Sequence, residues 1–410
     1  MNLDGEPRGS DGHDEAPSLH EAAVHAHALS SDGQPVSDSL IPRVETHWSR
    51  ILHVDLFAPH TSRSTRDPGD KATGGFEAPA ANFGIGHSQG QGTSRREAER
   101  VTLLAADGYP ITGIHYAITV PTRAHLVVAG AVGVPQRFYR RFAEFAASAG
   151  YSTMTLDYRG VGLSAPATLK GFKMNYFDWS RLDLAAAVAA MSSPDVPLYV
   201  VGHSFGGHAF GMLPNLKKVA GFYTFGTGAG WHGWMPSLEQ IKVLAMWHVL
   251  GPLLTTWKGY LSWSLLGMGE DLPLDFYRQW KHWCRYPNYF FGDPSVQHLV
   301  RGFGRVRAPL MAANSVDDRW APPKSRDAFI AGYTNAARQT LDIDPSRIGL
   351  RAIGHMGYFK PDAIPLWESA LAWLELRRKP QSALTSTELE NSTSRKPRRI
   401  RPAAGIYGRA

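Results

Sequence analysis

The pentapeptide Gly202-His203-Ser204-Phe205-Gly206 constrains this chain more than any other stretch. It follows the apolar run Pro197-Leu198-Tyr199-Val200-Val201 and leads into Gly207, His208 and Ala209. The pattern predicts a strand that turns abruptly into a helix and holds Ser204 in a strained conformation, with glycines two positions either side where side chains would clash. Its product is an exposed hydroxyl at a helix N-terminus. A bare Gly-x-Ser-x-Gly arises by chance in a chain with 41 glycines, so the flanking elements and the downstream partners decide its meaning.

Those elements are present. From Val101 the chain alternates strand and helix signals, with strands expected near 101–105, 110–119, 124–129, 152–157, 197–201, 219–225, 309–313 and 348–353. Phe138, Phe142, Phe145 and Ala149 recur at helical spacing before a C-cap at Gly150; Ser180 is placed to cap a helix carrying Leu182, Leu184, Ala187 and Met191. Asp362 to Leu376 reads as a last helix. The expectation is an α/β fold: an eight-stranded, mostly parallel sheet with helices on both faces and sites outside the carboxyl ends of its strands.

The alternation breaks after the sixth strand. Residues 226–305 hold seven of the chain's 12 tryptophans (Trp231, Trp234, Trp247, Trp257, Trp263, Trp280, Trp283), with leucines interspersed among helix-breaking Gly and Pro. This predicts a helical, aromatic-rich insertion that needs a surface to bury against, and the mouth of the site is the nearest. The tryptophans also suit the insertion's own core. Lys242, His248 and Lys258 interrupt 241–263, which argues against a membrane-spanning helix there.

Composition sets the outer limits. Apolar content concentrates between residues 99 and 376, while residues 1–98 and 377–410 read as disordered, polar before the domain and basic after it. From Arg377 onward nine basic residues face only Glu388 and Glu390, which accounts for the whole net charge of +7 and removes the argument for a nucleic-acid partner. Within the first segment, Trp48–Phe57 is an apolar cluster that reads as chance in preference to a short docking element. The eight histidines of the first hundred residues, His25 and His27 among them, fit no zinc spacing. A single cysteine, Cys284, excludes an intramolecular disulfide and a cysteine-based zinc cluster. With neither a secretory signal pattern nor a bilayer-length apolar run, a soluble cytoplasmic protein is expected.

A serine hydroxyl is a weak nucleophile at neutral pH, so Ser204 needs a base to take its proton and an acid to orient that base. After the seventh expected strand, Asn314-Ser315-Val316-Asp317-Asp318-Arg319-Trp320-Ala321-Pro322 offers two carboxylates at a strand end. After the eighth, Ile353-Gly354-His355-Met356-Gly357-Tyr358-Phe359 sets His355 between glycines on a loop able to reach back, as the base.

The chain from about 101 to 376 resembles the α/β-hydrolase superfamily and, within it, the serine-aminopeptidase and monoglyceride-lipase-like hydrolases. The resemblance rests on the elbow, on Asp157-Tyr158-Arg159-Gly160-Val161-Gly162-Leu163-Ser164 after the fourth strand and on Gly130-Ala131-Val132-Gly133 after the third. It implies a Ser, then Asp, then His order, with Asp318 as the acid and Asp317 as the alternative. It also implies an oxyanion hole from the backbone N–H of Phe205 and of Ala131, or Val132 as the alternative, since the family's common His-Gly is Ala129-Gly130 here. Asp157 and Arg159 are expected to brace loops, with a mutual ion pair open to them; His203 and His208 are expected to be structural.

The implied activity is cleavage of a small-molecule ester or thioester with an apolar acyl or alkyl group, needing no cofactor and no metal. An amide or peptide hydrolase with the same triad, or a non-catalytic binding module on this scaffold, are the alternatives.

Overall fold

The computed structural model describes residues 98–378. Apart from their innermost residues, the two terminal segments expected to be disordered, with Trp48–Phe57 and the histidines His25 and His27, lie outside it. Arg377 and Arg378, expected in the tail, lie just beyond the last helix and fold back on it: Arg377 stacks 3.6 Å over Trp373 and Arg378 pairs with Glu375 at 2.6 Å.

Eight strands form one sheet: β1 (Glu99–Leu104), β2 (Pro110–Tyr116), β3 (Ala124–Ala129), β4 (Tyr151–Leu156), β5 (Leu198–His203), β6 (Gly221–Phe225), β7 (Leu310–Ser315) and β8 (Arg338–Ile343). Their spatial order is β1-β2-β4-β3-β5-β6-β7-β8. β2 pairs antiparallel with both β1 and β4, and every pairing from β4 through β3 to β8 is parallel. The helices between them are α1 (Arg140–Ser148), α2 (Ala185–Ala190), α3 (Phe205–Ala209), α4 (Ser237–Ala245), α5 (Gly251–Lys258), α6 (Leu274–Trp283), α7 (Gln297–Val300), α8 (Pro323–Ile330) and α9 (Ile364–Glu375).

The central strands are apolar on both faces because both are covered. Side chains alternate across a strand, and the buried ones segregate accordingly. Leu126, Val128, Tyr199, Val201 and Tyr223 pack with Phe142 of α1 and Leu366, Trp367 and Leu374 of α9. Val127, Ala129, Val200 and Phe222 pack with Val188 of α2, Phe329 of α8 and Trp247, Phe276 and Trp280 of the insertion.

Seven strands run where the sequence places them, β3 with the same bounds. The eighth does not. The expected strand at 348–353 is a loop, and β8 lies earlier, at Arg338–Ile343. β8 is a sheet edge with β7 as its one neighbour, so it is mostly exposed and too polar to read as a strand. Ile348, Leu350 and Ile353 are apolar because they cover the α1/α9 side of the core without pairing in the sheet. Ser180 is likewise no cap. The helix begins with π-type turns at Trp179–Leu184, and the Ser180 hydroxyl, already inside them, donates to the Ala209 carbonyl at 2.5 Å.

Between β6 and β7 the chain passes through α4 to α7. A π-type stretch, Met246–Leu250, joins α4 directly to α5. Among the described residues no helix is long and apolar enough to cross a membrane.

Candidate active site

At the carboxyl end of β5 the chain turns sharply at Ser204, with φ +51° and ψ −108°, and enters α3. The flanking glycines are required by contact. A Cβ on Gly202 would sit 2.7 Å from the Gly206 carbonyl carbon, and one on Gly206 would sit 2.1 Å from the Ala129 carbonyl oxygen. The Ser204 N–H donates to the Phe225 carbonyl at 2.9 Å, and the Thr227 hydroxyl donates to the Ser204 carbonyl at 2.8 Å, so the strained residue is held from both sides.

His355 reaches this serine from the loop after β8. Its Nε2 lies 3.1 Å from Ser204 Oγ, and its Nδ1 lies 3.0 and 3.2 Å from the two carboxylate oxygens of Asp318, at the end of β7. Asp318 is buried and also accepts from the N–H groups of Trp320 and Ala321 and from the Tyr358 hydroxyl. Burial would raise its carboxyl, but His355 beside it, the Ala321 N–H and the Tyr358 hydroxyl outweigh that and hold it below its ordinary range. Ser204, His355 and Asp318 thus form one hydrogen-bonded line.

Asp317, the alternative acid, points elsewhere. Its carboxylate accepts from the N–H groups of Ile353 and Gly354 at 2.9 and 3.0 Å, so it anchors the loop that carries His355.

Phe205 and Val132 line the cavity beside Ser204, and no acceptor among the described residues takes the N–H of either. Ala131 differs: its N–H is already committed to the Tyr139 hydroxyl at 2.7 Å. Of the two expected donors, Ala131 and its alternative Val132, only Val132 has its N–H without an acceptor among the described residues. Tyr139 continues the connection to His203 Nδ1 at 3.0 Å, and His203 Nε2 donates to the His355 carbonyl at 2.9 Å. Burial, with His355 nearby, pulls the His203 imidazole down to about 3, so it is neutral and bridges the two loops. His208 is neutral for the same reason, pulled down to about 4 by burial and held by Tyr176 and the Gly228 carbonyl.

Asp157 and Arg159 do not pair with each other. Asp157 accepts from the backbone and side-chain N–H groups of Gln136 and from the Leu163 N–H, whereas Arg159 pairs with Asp183 at 2.7 Å and with Asp107 at 2.6 Å. Both brace the loops at the strand ends.

The serine opens onto a cavity of about 550 Å³, within the usual range for small-molecule sites. Val132, Val134, Trp263, Met268 and Trp280 form its apolar wall, and Arg319, Arg351 and Lys360 contribute charge.

A family profile described as serine aminopeptidase, S33, matches residues 121–258, about a third of the chain. Among solved structures, a soluble variant of monoglyceride lipase from Saccharomyces cerevisiae in complex with a substrate analogue superposes with a TM-score of 0.51, at 16% identity over 70% of this chain and 97% of that one. The chain has the α/β-hydrolase fold. DcsB in complex with its substrate analogue (TM-score 0.48, 14% identity, 69% of this chain and 99% of that one) and an esterase from Pyrococcus furiosus (TM-score 0.45, 14% identity, 69% and 92%) are also similar to this chain. No curated protein matches its sequence significantly.

Two residues of this site are not legible in the sequence. Tyr139 falls in the helical run of Phe138, Phe142 and Phe145, and Tyr358 lies three residues after His355; an aromatic in such a run reads as core, and both are indeed buried. Only their hydroxyl partners distinguish them.

Proposed function

We propose that the protein is a serine hydrolase that cleaves a carboxylic ester or thioester with an apolar acyl or alkyl group through an acyl-enzyme. The observation that carries this reading is the hydrogen-bonded line from Ser204 Oγ through His355 to Asp318, opening on an apolar-walled cavity.

In this mechanism the Ser204 hydroxyl attacks the substrate carbonyl while His355 Nε2 takes its proton. Asp318 accepts from His355 Nδ1–H, which fixes the tautomer and balances the imidazolium that forms. The oxyanion is met by the N–H groups of Phe205 and Val132, worth on the order of 100-fold in rate each. His355 then protonates the leaving group, and water, activated by the same base, releases the acyl group from Ser204. Residues 226–305 act as a cap whose Trp263, Met268 and Trp280 accommodate the apolar part of the substrate.

The description of the matching profile favours a second reading, amide or peptide cleavage by the same residues. Purified protein assayed on p-nitrophenyl esters of increasing acyl length, on acyl thioesters and on aminoacyl anilides separates the two. Turnover of long-chain esters or thioesters that vanishes in Ser204→Ala is expected. Undiminished turnover in that variant overturns the serine mechanism, and turnover of anilides alone overturns the ester reading.

A further inference from the structure

The insertion holds a second cleft, of about 80 Å³, whose wall carries His232, His248, Lys281 and Arg285 and no carboxylate. The space is several times the roughly 10–15 Å³ that one water needs. His232 comes from the turn after β6, His248 from the π-type stretch between α4 and α5, and Lys281 and Arg285 from the end of α6. Trp247 and the buried thiol of Cys284 join them in the wall.

Basic residues at a helix C-terminus are ordinarily explained by the helix dipole, and Arg285 does close α6, its Nε donating to the His282 carbonyl at 3.2 Å. That account does not cover His232 and His248, which reach the cleft from outside α6. Nor does it supply a counter-charge. Among the described residues no carboxylate comes within ion-pair distance of Lys281 or Arg285; of the acids nearest in sequence, Asp275 pairs with Lys173 and Arg278, and Asp293 is engaged by His282, Trp283 and Ser295. Burial and the adjacent Arg285 guanidinium hold the Lys281 ammonium below its usual range. The buried indole N–H of Trp247 has no acceptor among the described residues. One arm of the Arg285 guanidinium is held by His282 Nδ1, but positive charge and donors converge here and no carboxylate lines the cleft.

We propose that this cleft binds a phosphate group, carried either by free phosphate or by a phospholipid headgroup. A tetrahedral oxyanion supplies the missing negative charge and several acceptors at once, for the Lys281 ammonium and for the Arg285 guanidinium N–H groups that His282 does not take. The site is one ring pair away from the catalytic cavity, because Trp247 packs edge-on against Trp280 at 4.8 Å and Trp280 lines that cavity. Binding is independent of the hydrolytic reading and is tested without turnover.

The test is calorimetric titration of the full chain with inorganic phosphate at low ionic strength, together with sedimentation on phosphatidylcholine vesicles with and without phosphatidic acid. Wild-type protein is expected to bind phosphate saturably, to prefer the phosphatidic acid vesicles, or both. Preference for vesicles identifies the lipid as the source; saturable phosphate binding without it identifies the free anion. Lys281→Gln with Arg285→Gln should weaken whichever binding occurs at least tenfold. Lys217→Gln with Lys218→Gln, which removes the same charge at a remote surface, should not. The milder His248→Gln, at an exposed position, should weaken binding severalfold if the double variant fails to fold. Absence of both kinds of binding, or equal loss in the two double variants, overturns the proposal.

Discussion

The Tyr358 hydroxyl donates to Oδ2 of Asp318 at 2.9 Å while accepting from the Ser315 N–H at 2.8 Å, so one phenol ties the carboxylate facing His355 to the strand that carries it. Tyr358→Phe leaves that N–H without its partner and the carboxylate with one donor fewer. Hydrogen bonds to charged groups contribute about 1.5–3 kcal/mol, and a loss of stability in that range is expected. Asp318 titrates below its ordinary 3.8 in the fold, so its stabilising contribution is present above about pH 4 and is lost as pH falls. Removing the Tyr358 donor raises the folded-state value, and acid unfolding followed by circular dichroism should begin at higher pH in the variant.

The two neighbouring carboxylates predict different failures. Asp318→Asn keeps the shape but sets an amide NH2 against donors and removes the acceptor that fixes the His355 tautomer, and should lower kcat by on the order of 10⁴-fold along with some loss of stability. Asp317→Ala strands the N–H groups of Ile353 and Gly354, costing about 1–3 kcal/mol per unsatisfied group, with a much smaller fall in kcat. Steady-state kinetics and urea unfolding on both variants check this. A larger kinetic loss in Asp317→Ala would reverse the assignment of the acid.

The elbow predicts a contrast between glycines. Gly206→Ala drives a methyl to 2.1 Å from the Ala129 carbonyl oxygen, backbone that cannot yield without opening β3 from α3. A loss above about 3 kcal/mol is expected, beyond the usual range for overpacking. Gly171, with φ +78°, has nothing within 4 Å of its would-be Cβ. Gly171→Ala therefore bears only the left-handed backbone penalty, about 1–2 kcal/mol. Urea midpoints of the two variants give the comparison.

What the sequence makes legible follows from how local each signal is. The elbow is a five-residue steric pattern, and the carboxylate pair Asp317 and Asp318 and the glycine-flanked His355 can be read from their own turn chemistry, while the preference for Asp318 comes from the family resemblance. β8 is not legible, because an edge strand with one neighbour and a wet face carries no apolar run, while Ile348, Leu350 and Ile353 carry one for packing alone. The commitment of the Ala131 N–H is equally hidden. It depends on a tyrosine eight residues on whose hydroxyl turns inward to His203, sixty-four residues away from Tyr139 in sequence. Hydrogen-bond partners of buried aromatics are set by the packed fold, and no periodicity reports them.

The insertion should have its own acid sensitivity, centred on Asp293. Its carboxylate accepts from the Trp283 indole N–H at 2.9 Å, from His282 Nε2 at 3.0 Å and from the N–H and hydroxyl of Ser295. Desolvation opposes the charge, but these donors prevail and bring its value down from 3.8 to about 2. Because the folded value lies below the unfolded one, the fold binds fewer protons than the unfolded chain across this interval, and stability falls as pH drops from about 4 toward 2. Protonation also removes the acceptor of Trp283, which packs against Phe177 and Phe290 in the aromatic core. Asp293→Ala should therefore reproduce at neutral pH what acid does to the wild type. The expected readout is the same change in near-ultraviolet circular dichroism in both, with the pH 4 to 2 step absent from the variant; an unaltered step in Asp293→Ala would assign the transition to another carboxylate.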